Sequence, residues 1–131
     1  YRTDLPERLR ELAILTSARG VPYAWAHHEA LAVQSGIARE AVEDIGAGRA
    51  PASLPANERA LVRFVVALLD MKMDDAIFAA MRAHFSPRQV TDVAISATYY
   101  AAIGRMVLAF DVEVEGQEVL QVERDWQKGR T

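Results

Sequence analysis

The stretch SPRQVTDVAISATYYAAIGRMVLAFD, Ser86 to Asp111, decides the fold. It opens with a serine cap, proline at the first helical position and glutamine at the third, the signature of a capping box. A long helix is therefore expected from Pro87 to about Asp111, and it reads as the core element of the chain. Working back from it, Asp74 caps a fifth helix over Asp75 to His84, and Asn57 caps or begins a fourth that runs through Met71. RAPASLP, Arg49 to Pro55, is a loop by composition. A short third helix covers Ala38 to Ala47 and ends near Gly46 and Gly48. The second, about Tyr23 to Ser35, stops at Gly36, a residue suited to the left-handed position after a helix. Arg19-Gly20-Val21-Pro22 separates it from a first helix, Pro6 to Ala18, in which Leu9, Leu12 and Leu15 recur at helical spacing.

Beyond Asp111 the tail EVEGQEVLQVERDWQKGRT is polar with alternating valines and a leucine. It reads as a strand, a partner-exchanged arm or a disordered end. Nothing else reads as a strand, and no repeat of solenoid length is visible. The expectation is an all-α protein of about six helices, one domain over residues 1–131 with its core at about 5–112.

Composition narrows the function classes. The 131 residues are 51% apolar and 25% charged with net charge −3, ordinary values for a soluble globular protein. No basic run appears, so nucleic acid is not an expected partner. The longest apolar run, Phe64 to Leu69, is far short of the roughly 20 residues a spanning helix needs, so no membrane is expected either. No signal peptide is visible. Cysteine is absent, which removes disulfides, thiolate metal sites and thiol redox chemistry. Its absence fits a reducing compartment, and a cytoplasmic location is expected.

Two features point to chemistry. The second helix carries the doublet His27-His28. At helical spacing Trp25, His28, Leu31, Ala32 and Ser35 share a face, which puts His28 inside an apolar stripe, while His27 is rotated about 100° away toward Tyr23 and Gln34. Glu11 has Ile14, Leu15 and Ala18 as helical neighbours, so its carboxylate lies at the edge of the core-facing stripe and needs a partner there. That partner is a surface arginine, Arg8 or Arg10, or a histidine of the second helix, which would make a Glu–His pair able to move protons. A core histidine held by packing is the competing reading of His28. Tyr99 and Tyr100 precede Ala101, Ala102 and Gly104, small residues that admit a neighbouring helix or leave a pocket walled by phenols. No metal or cofactor is expected. Adjacent histidines point to different faces, and no H-E-x-x-H, G-x-S-x-G or glycine-rich phosphate loop is present.

Taken in order, RLRELAILTSAR, YAWAHHEALAVQSGI, LPANERALVRFVVALL and ATYYAAIGRMVLAF resemble the carboxymuconolactone decarboxylase-like family, which includes the alkylhydroperoxidase D-like proteins. The resemblance covers about Leu5 to Val112 and is nearest to a cysteine-free branch. In the peroxidase members a glutamate precedes a C-x-x-C, and a histidine follows the second cysteine by four residues. Matching that histidine to His28 places the cysteine positions at Val21 and Ala24 and the glutamate at Glu11, with a loop at Gly20 two residues shorter. The relay pair is kept and the redox pair is gone, so thiol peroxidase activity is not expected. Decarboxylase members carry a carboxylate four residues before the histidine, where this chain has Ala24.

The resemblance implies a homo-oligomer (dimer, trimer or hexamer) and, as one reading, a lyase acting on a small carboxylated or lactone-type substrate. In that reading His28 and Glu11 are catalytic, and Tyr23, Trp25, His27, Tyr99 and Arg105 are candidates for substrate binding. The other reading is a non-catalytic small-molecule binder or structural oligomer on the same scaffold.

Overall fold

The computed structural model describes residues 3–129 and resolves seven helices and no strand among them. These are α1 (Glu7–Ala18), α2 (Pro22–Gln34), α3 (Arg39–Gly46), α4 (Ala56–Leu69), α5 (Asp75–His84), α6 (Pro87–Ala109) and α7 (Gln117–Lys128). Their boundaries follow from local chemistry. Asp74 accepts the Ile77 N–H at 2.7 Å, and Ser86 and Gln89 form the reciprocal capping box that the sequence announces. α2 begins on Pro22 and closes on Gly36 at φ 90°, with the Ile37 N–H donating to the Ala32 carbonyl. α4 stops two residues before its expected end. Met71 takes a left-handed φ of 54°, and Lys72 folds its N–H back onto the Ala67 carbonyl.

The core is built around α1, which packs on α2, α4 and α6. Every residue from Leu12 to Ala18 is buried, and a helix that is apolar all round belongs at a centre. Thr16 and Ser17 are tolerated there because their hydroxyls donate to the Leu12 and Ala13 carbonyls one turn back. The central element is thus α1 and not α6, contrary to the sequence expectation. α6 buries one face, carrying Val90, Val93, Ala97, Ala101 and Gly104. On another face Ile95, Tyr99, Met106 and Phe110 stand exposed.

One buried ion pair locks three elements. Glu58 of α4, its side chain 7% exposed, receives two hydrogen bonds from the Arg8 guanidinium at 2.7 and 3.0 Å. The same guanidinium donates to the carbonyls of Ser35 and Gly36, capping the end of α2. Arg8 is thereby committed to Glu58 and does not partner Glu11.

The tail is helical rather than extended, apart from residues 130–131, which lie outside the described residues. The alternating valines at 112 and 114 sit in the linker, and the helical turn starts where the Leu120 N–H reaches the Gly116 carbonyl. Leu120 is buried, lining a hollow with Ala30, Val33 and Val42, so α7 lies over α2 and α3.

Candidate functional site

α1, α2 and α6 enclose a pocket of about 580 Å³. Glu11 enters it from α1, His28 from α2, and Ser96, Tyr99 and Tyr100 from α6, with Ile14, Leu31 and Ile95 as apolar wall. Arg10 stands at its rim, the side chain 43% exposed and Nε 3.7 Å from Glu11 Oε1.

Glu11 Oε2 and His28 Nδ1 face each other at 3.8 Å. Their side chains are only 13% and 18% exposed, and both atoms are buried with no hydrogen-bond partner among the described residues. Native interiors satisfy most buried polar atoms, so two orphans side by side at the wall of a pocket are unusual. Tyr100 packs edge-on against the His28 ring, centroids 5.6 Å apart, and Tyr99 packs edge-on against Tyr100 at 5.5 Å. Burial raises the Tyr100 pKa, with the Glu11 charge and then Tyr99 adding to the shift. The phenol therefore stays protonated near neutrality and offers an O–H donor beside the pair.

This arrangement can take up and deliver a proton next to a bound molecule. A carboxylate and an imidazole share one wall, a neutral phenol lies beside them and an arginine marks the mouth. Among the described residues no three His, Asp or Glu side chains converge as a metal site. No helix among them is long and apolar enough to cross a membrane.

The structure brings Glu11, His28 and Tyr99 together and places the other expected substrate-binding residues elsewhere. His27 and Tyr23 face the linker before α7. The Tyr23 hydroxyl donates to Glu115 Oε1 at 2.9 Å, His27 Nε2 lies 3.1 Å from Glu115 Oε2, and the two rings meet at a 39° tilt with centroids 4.6 Å apart. The Glu115 carboxyl is held below the ordinary range first by its own backbone N–H, then by the Tyr23 hydroxyl and by His27. Trp25 turns the other way. Its indole donates to Glu29 at 3.1 Å, and its ring lies so close to Gly46 that a β-carbon there would stand 3.1 Å from it. It lines a separate, more open hollow of about 560 Å³ with Val21, Arg39 and Glu43. Arg105 is exposed and donates to the Ala101 carbonyl one turn back, away from the pocket.

Four polar pocket residues are not among the site residues expected from the sequence: Thr3, Arg10, Ser96 and Tyr100. Tyr100 had a visible signal, the TYYAA segment, but two adjacent tyrosines on a helix differ only in rotation. Arg10 looked like a surface charge beside Glu11. Ser96 gave no signal.

The matched cysteine positions are also placed. Val21 is buried against Gly104 of α6, where a β-carbon would meet its Cγ2 at 2.9 Å. Gly104 thus serves close helix approach, while Tyr100 one turn earlier walls the pocket.

With the geometry in hand, solved structures identify the architecture. A protein of unknown function from Agrobacterium tumefaciens, named as a candidate antioxidant-defence protein AhpD, superposes with a TM-score of 0.76 at 18% identity, covering 87% of this chain and 82% of its own. An uncharacterized peroxidase-related protein from Silicibacter sp. TM1040 gives 0.74 at 18% identity, covering 88% of this chain and 63% of its own. The chain has the AhpD-like helical fold. No protein-family model matches it, and no curated protein does either.

Proposed function

We propose that the pocket between α1, α2 and α6 is an active site for acid–base chemistry on a small carboxylated or lactone-type molecule, of the decarboxylase-like kind. The observation that carries this reading is the buried, unsatisfied Glu11–His28 pair opening onto the pocket. Loss of carbon dioxide from a substrate leaves an electron pair that must be protonated. A positioned imidazolium can deliver that proton, solvent water entering the pocket returns one to the ring, and the Glu11 carboxylate 3.8 Å away favours the charged imidazole. Such transfer contributes about 10²–10⁴-fold, so binding and desolvation in the pocket supply the rest. The two neighbours share the fold, but these 131 residues hold no cysteine, and a thiol route has no nucleophile here.

The non-catalytic reading draws on one observation, the 3.8 Å gap, which is longer than a working hydrogen bond. The two readings separate in one experiment. A panel of small carboxylated lactones and hydroxy acids is incubated with the protein in D₂O, and carbon dioxide release and deuterium incorporation are followed by NMR. Turnover by the parent is expected, falling about 100-fold or more in His28→Gln and Glu11→Gln and staying near the parent level in His27→Gln. Binding without turnover would establish the binder, and turnover unaffected by His28→Gln would remove the catalytic assignment. Self-association belongs to the same reading, and the exposed Ile95, Tyr99, Met106 and Phe110 along α6 offer the apolar surface for a second copy.

A further inference from the structure

Resting on the reading of this pocket as the active site, we infer that its ligand is a small hydroxy acid, with its hydroxyl seated between Glu11 and His28 and its carboxylate at Arg10. Glu11 Oε2 and His28 Nδ1 are buried, lack a partner among the described residues and lie 3.8 Å apart. That spacing is too long for a direct hydrogen bond, yet it leaves room for one oxygen at about 2.8 Å from each atom. The chemistry of the pair selects which oxygen. A carboxylate only accepts, so the seated group must donate to Glu11; it must then accept from an Nδ1–H on the other side. A hydroxyl does both. A carbonyl, ether or carboxylate oxygen accepts only, and in the seat it would face the Glu11 oxygens lone pair to lone pair.

The rest of the pocket supplies the other half of the ligand. Arg10 is the permanent cation among the lining residues, and it stands at the rim, where a carboxylate keeps part of its hydration. Between seat and rim, Ile14, Leu31 and Ile95 give an apolar wall for a short carbon body. The Tyr100 phenol, kept protonated, adds a donor and no charge. An ammonium group could also donate to Glu11, but it would share the pocket with Arg10. The volume of about 580 Å³ is in the usual range for a small-molecule site.

The test uses the three hydroxybenzoate isomers, which vary the distance between hydroxyl and carboxylate. Benzoate, the matching methoxybenzoates and 4-(aminomethyl)benzoate serve as controls. Affinity is read from amide shifts of the full chain, with melting curves confirming that each variant folds. At least one hydroxybenzoate should bind about tenfold or more tighter than benzoate and than its methoxy counterpart, because the ether keeps the acceptor and loses the donor. Within Glu11→Met and within His28→Gln, the preference of that isomer over benzoate and over its methoxy counterpart should disappear, whatever happens to the affinity for acids in general. Arg10→Gln should weaken all the acids alike. The inference is overturned if benzoate or the methoxybenzoate binds as well as every hydroxybenzoate, if the aminomethyl compound binds best, or if no acid shifts the pocket amides. Turnover is not needed for this measurement. A hydroxyl preference without turnover would remove the lyase reading and keep the seat, and turnover without the preference would do the reverse.

Discussion

Replacing Glu11 by methionine should make the protein more stable. Methionine keeps the unbranched shape and helix propensity of glutamate while removing the charge. A buried acceptor without a partner costs about 1–3 kcal/mol in desolvation, and Glu11 Oε2 is such an atom. The interactions given up are the 3.8 Å approach of His28, too long for a hydrogen bond, and the 3.7 Å approach of Arg10, whose side chain is 43% exposed. An exposed pair of that kind is worth about 0–1 kcal/mol. The balance is a gain of about 1–2 kcal/mol, which for a domain of this size raises the melting temperature by roughly 3–10 °C. Urea unfolding checks it through a higher midpoint at unchanged slope. A residue kept for function at the expense of stability behaves this way. A loss of more than about 1 kcal/mol would show that Glu11 holds the fold together, and the pocket pair would then be structural.

The opposite outcome is expected at Arg8. Arg8→Met strands Glu58, 7% exposed, without its partner; breaking a buried pair costs about 3–5 kcal/mol. Because Arg8 is itself 35% exposed, water offsets part of that loss, and about 2–3 kcal/mol should appear in urea unfolding. Docking of α7 should be sensitive to acid. The Glu115 carboxyl titrates below the ordinary value, so its contribution is complete above about pH 4.3 and fades as pH falls through the lower folded value. The Leu120 methyl resonances should report this, and Glu115→Gln should abolish the pH response; methyl signals that stay fixed through the acid titration would count against the linkage. Light scattering at micromolar concentration should show a species larger than 14.5 kDa, and a monomer alone would end the expectation of self-association.

Helix positions were legible because their ends carry strong local chemistry: Asp74, the Ser86–Gln89 box, Pro22 and Gly36 all act within four residues. What was not legible depended on which face meets which neighbour. The periodicity of α2 put Trp25 and His28 in one stripe, yet a stripe about 100° wide can serve two neighbours. Trp25 goes to α3 at Gly46, and His28 goes to α1 and α6. The rotation separating His27 from His28 was correctly read, and it sends His27 to Glu115, a partner 88 residues away that no local pattern announces. Arg8 and Arg10 looked equivalent beside Glu11. Only the arrival of Glu58 from α4 separates a buried clamp from a pocket rim. The tail, which reads as a strand, a partner-exchanged arm or a disordered end, is helical after Gly116, because Leu120 finds a buried seat against α2 and α3 that no local pattern announces.

The closeness of Val21 to Gly104 bears on protein engineering. Installing cysteines at Val21 and Ala24 would appear to be the short path to a thiol enzyme, since the histidine and glutamate are already in place. A sulfur at Val21, however, would be buried and pressed against Gly104 of α6, at the inner wall of the hollow that Glu29 and Glu43 also line. Such a thiol has its pKa raised and reacts poorly. Grafting the redox pair would therefore yield an inert dithiol unless α6 were also moved outward at Gly104, so that the retrofit is a problem of helix spacing more than of missing side chains.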